Sequence, residues 1–130
     1  MVIDSSAIIA ILLGEPEAAR LVHAMAADSV RQMSSFSALE CALVIEAKKG
    51  DAGGRELDLM LHRAGVQIAA FDSDQQEIAR DAWRRFGKGR HRAGLNIGDC
   101  CAYALAVVAR EKLLFKGADF TRTDVAAVAY

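Results

Sequence analysis

Apolar residues in this chain fall into two textures that alternate from end to end: short continuous runs, and stretches where they recur every three or four positions. Residues 1–3 are an apolar run closed by Asp4, and Ser5 and Ser6 then lead into the apolar residues 7–13. That order predicts a strand turning directly into a helix. Pro16 stands at a favoured first helical position after Gly14 and Glu15, and Ala18, Leu21, Val22, Met25 and Ala26 share one face of a second helix. Residues 30–33 alternate apolar and polar as a brief strand does. Residues 35–49 follow with strong helix formers and stop at Gly50.

Residues 56–64 read as a further helix, with Leu57, Met60, Leu61 and Ala64 on one face and Gly65 as terminator. Residues 66–71 are strand-like, and 73–86 carry Ile78, Ala79, Ala82, Trp83 and Phe86 on one helical stripe with charges opposite. A glycine-spaced basic loop fills 87–94. Residues 96–110 are apolar almost all round beyond Asp99, which predicts a buried central helix. Residues 113–115 make a short buried strand before Gly117, and 125–130 a last strand whose alanine and valine content suits a helix nearly as well. Strands separated by helices require crossovers, so the fold class is α/β with a mostly parallel sheet and helices on both faces.

Composition narrows this picture. The 130 residues suit a single domain, 1–130, and a composition 53% hydrophobic and 25% charged excludes intrinsic disorder. The formal net charge is −1, so binding to nucleic acid must rest on a local patch. No apolar stretch approaches the roughly 20 residues that span a bilayer, and no secretory leader opens the chain, so it is expected in the cytoplasm. Cys41, Cys100 and Cys101 have no CxxC spacing and read as small buried apolar residues; His23, His62 and His91 show no ligand spacing.

Ligands of open parallel sheets bind beyond the carboxyl ends of the strands. Asp4 closes the first run, Asp99 opens the buried helix, Asp119 follows the run at 113–115, and Glu40 lies early on the helix after 30–33. Four carboxylates at one edge would repel, and a divalent cation or raised pKa values relieve that. Hard oxygen donors select Mg²⁺ or Mn²⁺, and the chemistry suited to such an ion is phosphodiester hydrolysis. Each acid also has a structural reading: Asp4 as a helix cap, Glu40 as the far end of a capping box begun at Ser37, Asp99 as a first-turn anion, Asp119 as a turn residue.

Together these residues resemble a family. Val2-Ile3-Asp4-Ser5-Ser6-Ala7-Ile8, Ser37-Ala38-Leu39-Glu40, Leu95-Asn96-Ile97-Gly98-Asp99-Cys100 and Leu113-Leu114-Phe115-Lys116-Gly117-Ala118-Asp119-Phe120, with Thr123-Asp124, are similar in order and spacing to a PIN domain of the VapC toxin type. The resemblance implies an α/β/α sandwich and Mg²⁺- or Mn²⁺-dependent RNA cleavage, with the family's acids falling on Asp4, Glu40, Asp99 and Asp119. It also implies a VapB-type antitoxin that blocks the pocket, and a homodimer. Many members carry an acid where this chain has Ala118. Ser6, Asn96 and Thr121 accompany the acids as polar residues that hold metal waters, or else as caps and turn residues. Asp124 reads as a surface or capping residue.

Arg80, Arg84, Arg85, Lys88, Arg90 and Arg92 are offset only by Asp81, six charges against one, leaving about +5 in a segment that runs into Asn96 and Asp99. Arg84, Arg85, Lys88, Arg90 and Arg92 are the candidates to hold an RNA backbone; the alternative is a solvated helix face and loop. Apolar positions at 18–26 and 39–45 exceed one buried face, yet in a domain this small they are expected in the core rather than in a groove for a partner. Two other readings stay open. One is a catalytically silent binding module whose acidic pocket receives a basic partner segment. The other is a phosphatase with Asp4 as nucleophile, which Ser6 disfavours because an acid is expected there.

Overall fold

A computed structural model describes residues 1–130. Four short strands, β1 (Val2–Ile3), β2 (Gln32–Ser34), β3 (Gln67–Ala69) and β4 (Leu113–Leu114), pair in the order β3-β2-β1-β4, all parallel. The helices are α1 (Ser5–Leu12), α2 (Ala18–Ala26), α3 (Ser35–Arg63), α4 (Ser73–Phe86) and α5 (Ile97–Ala109), followed by a 3-10 turn at Asp119–Arg122. Successive strand residues face opposite sides. Ile3 and Leu114 therefore enter a core with Ile8, Leu21, Met33 and Ile45 from α1, α2, β2 and α3, whereas Val2 and Leu113 enter a second core with Leu95, Tyr103, Leu105 and Phe120. The result is the α/β/α sandwich expected from the alternating pattern.

Each helix that follows β1 or β2 starts without a connecting loop, because the last strand residue or its neighbour is itself the cap. Asp4 accepts from the Ser6 amide at the start of α1, and Ser34, the last residue of β2, accepts from the Phe36 amide at the start of α3. These caps bring the first turns of α1 and α3 to the carboxyl edge of the sheet. Asn96 caps α5 in the same way from the loop that precedes it.

Several expectations change. The helices predicted at 35–49 and 56–64 are one run, bent where Gly50 takes φ 65° and ψ −163°; only glycine adopts that conformation without strain, so a stop signal has become a hinge between two helical arms. The strand expected over 66–71 shortens to β3. The last segment forms no full strand: Leu113 N donates to Ala126 O at 2.8 Å and Val128 N to Leu113 O at 2.9 Å, a single parallel bridge beside β4. The surplus apolar positions are not all core, since Leu39 and Leu43 are 57% and 63% exposed and Val22 is exposed as well. The cysteines are free and buried as expected, and burial pushes the thiols of Cys100 and Cys101 up to about 11, which keeps them protonated. No helix is long and apolar enough to cross a membrane.

Candidate active site

Asp4 is fixed from both ends. Its amide donates to Leu114 O of β4 at 2.9 Å, while Oδ2 accepts from the Ser6 amide at 3.0 Å and from Ser6 Oγ at 2.5 Å. Ser6 Oγ in turn accepts from the Lys116 amide at 3.0 Å, so one hydroxyl joins the end of β1 to the end of β4. The Asp4 carboxylate is 2% exposed and its Oδ1 has no partner. Burial pushes its pKa up against the Ser6 bonds, and the charge of Glu40 adds to the rise.

Glu40 lies in the second turn of α3, where Oε2 accepts from Ser5 Oγ at 2.6 Å. A Cβ at Gly98 would come within 2.8 Å of Glu40 Oε2 and 3.0 Å of Oε1, so the carboxylate rests against the bare first turn of α5. The capping box read from Ser37 to Glu40 is absent. The helix begins three residues earlier under Ser34, Glu40 reaches across to α1, and Ser37 Oγ is buried without a partner.

Asp99 sits in a reciprocal capping box: its Oδ2 accepts from the Asn96 amide at 2.7 Å and Asn96 Oδ1 accepts from the Asp99 amide at 3.0 Å. Asp99 is thus a first-turn acid that also closes a capping box begun by Asn96, and Asp4 is the cap of its own helix. Burial pushes the Asp99 carboxyl up to about 7 against the Asn96 bond, helped by the charges of Asp4, Asp119 and Glu40 in that order. One carboxyl therefore senses the other three. Asp119 opens the 3-10 turn and is exposed. Thr121 Oγ1 donates to Ala118 O at 2.6 Å and serves that turn.

Arg84, Lys88, Arg90 and Arg92 are exposed, but the loop is no loose excursion. Gly87 and Leu95 bridge in parallel, the Arg90 guanidinium lies 4.1 Å from the Trp83 ring centroid, and Arg122 Nη1 donates to Arg92 O at 3.3 Å. Arg85 pairs with Asp124 and lies 3.6 Å from Asp81, so it is engaged within the fold. Reading the sequence missed two residues that shape the site, Ser5 and Gly98. Their only signal is adjacency to Asp4 and Asp99.

The donor set fits a hard divalent cation. It is all carboxylate oxygen, Asp4 Oδ1 is buried and unpartnered, and the missing Cβ of Gly98 lets the Glu40 carboxylate close onto the turn that carries Asp99. No three acidic, histidine or cysteine side chains are already drawn together as a metal cluster. Asp4, Glu40 and Asp99 each have one oxygen engaged, by Ser6, Ser5 and the Asn96 amide respectively.

The sequence profile of the PIN domain matches residues 1–126. Over 128 residues the chain is 62% identical to Ribonuclease VapC of Mycolicibacterium smegmatis, a match covering 98% of this chain and 99% of that one. This chain belongs to the PIN-domain family, in its VapC branch. Solved structures share the fold at low sequence identity. This PIN domain superposes on VapC20 of Mycobacterium tuberculosis, described as a toxin cleaving the sarcin–ricin loop, with TM-score 0.80 at 14% identity over 98% of this chain and 97% of that one. It superposes on a chain of a toxin–antitoxin complex from Klebsiella pneumoniae with TM-score 0.75 at 18% identity over 99% and 97%.

Proposed function

We propose that this PIN domain is the ribonuclease toxin of a toxin–antitoxin pair, hydrolysing RNA phosphodiester bonds at the sheet edge that carries Asp4, Glu40, Asp99 and Asp119. The observation that carries the reading is the buried Asp4 carboxylate with its Oδ1 unpartnered, together with Glu40 packed against Gly98 on the turn of α5 that carries Asp99. Such a cluster suits a cation, and Asp4, Glu40 and Asp99 would hold Mg²⁺ or Mn²⁺ with Asp119 in support. A bound divalent ion supplies Lewis acidity, lowering the pKa of water and neutralising charge on the phosphate. The chain's own residues set the stage: Ser6 orients Asp4, Ser5 orients Glu40, and Asn96 locks Asp99. Arg84, Lys88, Arg90 and Arg92 provide cations for the phosphate backbone, on a segment that leads straight into the α5 cap.

Purified wild type and Asp99→Asn, matched for thermal stability, would be assayed on total RNA with Mg²⁺, with Mn²⁺ and with a chelator. Cleavage that needs both the ion and Asp99 is expected. Full cleavage by Asp99→Asn, or cleavage undiminished by the chelator, would overturn the mechanism. Binding of a partner without any RNA turnover would favour the silent module instead.

Two apolar surfaces suit partners. A groove of about 520 Å³ between α1, α2 and the second arm of α3, lined by Ile11, Val22, Met25, Leu59 and Met60, is shaped for an apolar helix of a VapB-type antitoxin. Leu39, Leu43 and Ile97, the last 70% exposed, stand beside the acidic edge and suit a homodimer contact. An RNA substrate and an antitoxin partner suit a protein that works in the cytoplasm.

A further inference from the structure

Asp124 lies five residues beyond Asp119 and anchors a polar cluster outside the acidic site. Its Oδ1 accepts from the Tyr103 hydroxyl at 2.6 Å, and its Oδ2 pairs with Arg85 Nη2. Arg85 Nη1 also donates to the Tyr103 hydroxyl at 3.4 Å, so α4, α5 and the C-terminal segment close a triangle of three side chains. Tyr103 has its ring in the core and presents only its phenol tip to this cluster. The two donors hold the Asp124 carboxyl below the usual carboxylate range despite some desolvation. Burial, with the Asp124 bond, pushes the Tyr103 phenol up to about 12, so it remains a donor throughout the working range.

Tyr103 is four residues after Asp99 on α5, hence one turn along the same face. The segment from Lys116 to Asp124 is otherwise held mainly by bonds within itself: Thr121 N to Ala118 O, Thr123 N to Phe120 O, and the hydroxyls of Thr121 and Thr123 to the same carbonyls. Those bonds shape the 3-10 turn without placing it against α5. Placement comes from contacts that leave the segment: Lys116 N to Ser6 Oγ and Lys116 Nζ to Glu15 and Glu17 at its entrance, the Phe120 ring on Phe115 at 4.9 Å, Arg122 on the Arg92 carbonyl, and the Asp124 cluster at its exit. Among the polar contacts of that group, only Asp124 reaches the helix that carries Asp99.

We propose that Asp124 is a positioning residue: through Tyr103 and Arg85 it sets the Asp119 turn in register with the α5 turn that carries Asp99. The inference rests on the reading that Asp119 contributes to the acidic site. It also joins the root of the basic segment, at Arg85, to the same turn. Asp124 touches no reacting atom and acts through where Asp119 sits.

Two measurements on the full chain test it. Amide hydrogen exchange should quicken over residues 117–123 in Asp124→Asn and in Tyr103→Phe, with α5 and β4 unchanged. In steady-state cleavage of total ribosomal RNA, each variant should lose about tenfold in kcat at unchanged KM, within the range that coupled neighbours show. In an Asp119→Asn background neither should lower kcat further, and Asp124→Glu should recover part of the loss. Additive losses in the double variants, or unchanged exchange over 117–123, would overturn the proposal. An inactive wild type would overturn the ribonuclease reading instead, and the exchange measurement would still decide the role of Asp124.

Discussion

The Glu40 carboxylate packs against Gly98, where an added Cβ would approach Oε2 to 2.8 Å and Oε1 to 3.0 Å. That contact brings α3 and α5 together at the acidic edge, and the bond from Ser5 Oγ to Glu40 Oε2 adds α1. Gly98 lies in ordinary helix, so alanine suits its backbone and slightly favours the helix. The whole cost of Gly98→Ala then falls on Glu40, which must swing away and leave Ser5. RNA cleavage should drop at least about tenfold while thermal unfolding moves by no more than about 1 kcal/mol. Wild-type cleavage by Gly98→Ala would show that the position of Glu40 does not matter.

The Asp99 carboxyl should also govern stability across neutral pH. Its folded value, about 7, lies above its ordinary value of 3.8, so the folded state binds this proton more tightly than the unfolded chain does. Stability from this group is therefore fully present below about pH 4 and is lost as pH rises through about 7. Burial shifts Asp4 in the same direction. Asp28 and Asp124 shift the opposite way and act on the acid side of 3.8, outside this window. The full Asp99 shift corresponds to about 4 kcal/mol, and solvent screening brings the expected loss to about 2 kcal/mol. Asp99→Asn retains an acceptor for the Asn96 amide and never ionises. In chelator, it should match wild type near pH 4 and exceed it at pH 8. Parallel curves for the two proteins would refute the shift. Added Mn²⁺ at pH 8 should stabilise wild type and leave the variant unmoved.

What the sequence reveals of this site depends on how local the determining contact is. Asp4 and Asp99 were legible because each bonds locally at the start of a helix, over two or three residues: Asp4 as the cap that ends an apolar run, Asp99 in the first turn after Asn96. The sheet was legible from short apolar and alternating runs, although its strands are only two or three residues long and the run at 125–130 adds no more than a single bridge. Glu40 was legible as an acid among apolar neighbours but not in its setting. The serine that its helix uses as a cap is Ser34 rather than Ser37, and its own bond reaches 35 residues back to Ser5. The engagement of Arg85 with Asp124, 39 residues away, leaves no trace in a charge count. Exposure of Leu39 and Leu43 was equally hidden, because helical periodicity identifies a face without saying whether anything covers it.

Those leucines support a test of self-association. Leu43 is the more exposed of the two, so a charged residue there disturbs little within one copy. Leu43→Lys should unfold at the wild-type temperature at concentrations where both are monomeric, and should sediment as a monomer where wild type forms a dimer. Equal sedimentation of the two proteins as dimers would place the contact elsewhere. Monomeric wild type at all accessible concentrations would remove the homodimer.

The basic segment yields a prediction that separates its two kinds of arginine. Arg84, Lys88, Arg90 and Arg92 form no ion pair with a carboxylate, whereas Arg85 is held by Asp124 and Asp81. A cation that neutralises a phosphate displaces a condensed counterion, so each such contact contributes about 0.7 to the slope of log affinity against log salt for a single strand. Cleavage would obscure the measurement, which is therefore made in Asp99→Asn with a labelled single-stranded RNA and fluorescence anisotropy across a salt series. Adding Arg92→Ala or Lys88→Ala should weaken binding and lower the slope by about 0.7 each. Adding Arg85→Ala should leave the slope unchanged, because its charge is already opposed within the fold. Its effect should appear instead in the otherwise wild-type enzyme, as a loss of kcat matching that of Asp124→Asn. A slope that falls with Arg85→Ala and not with Arg92→Ala or Lys88→Ala would reverse the assignment, placing the RNA across the α4 terminus rather than along the loop that leads to Asp99.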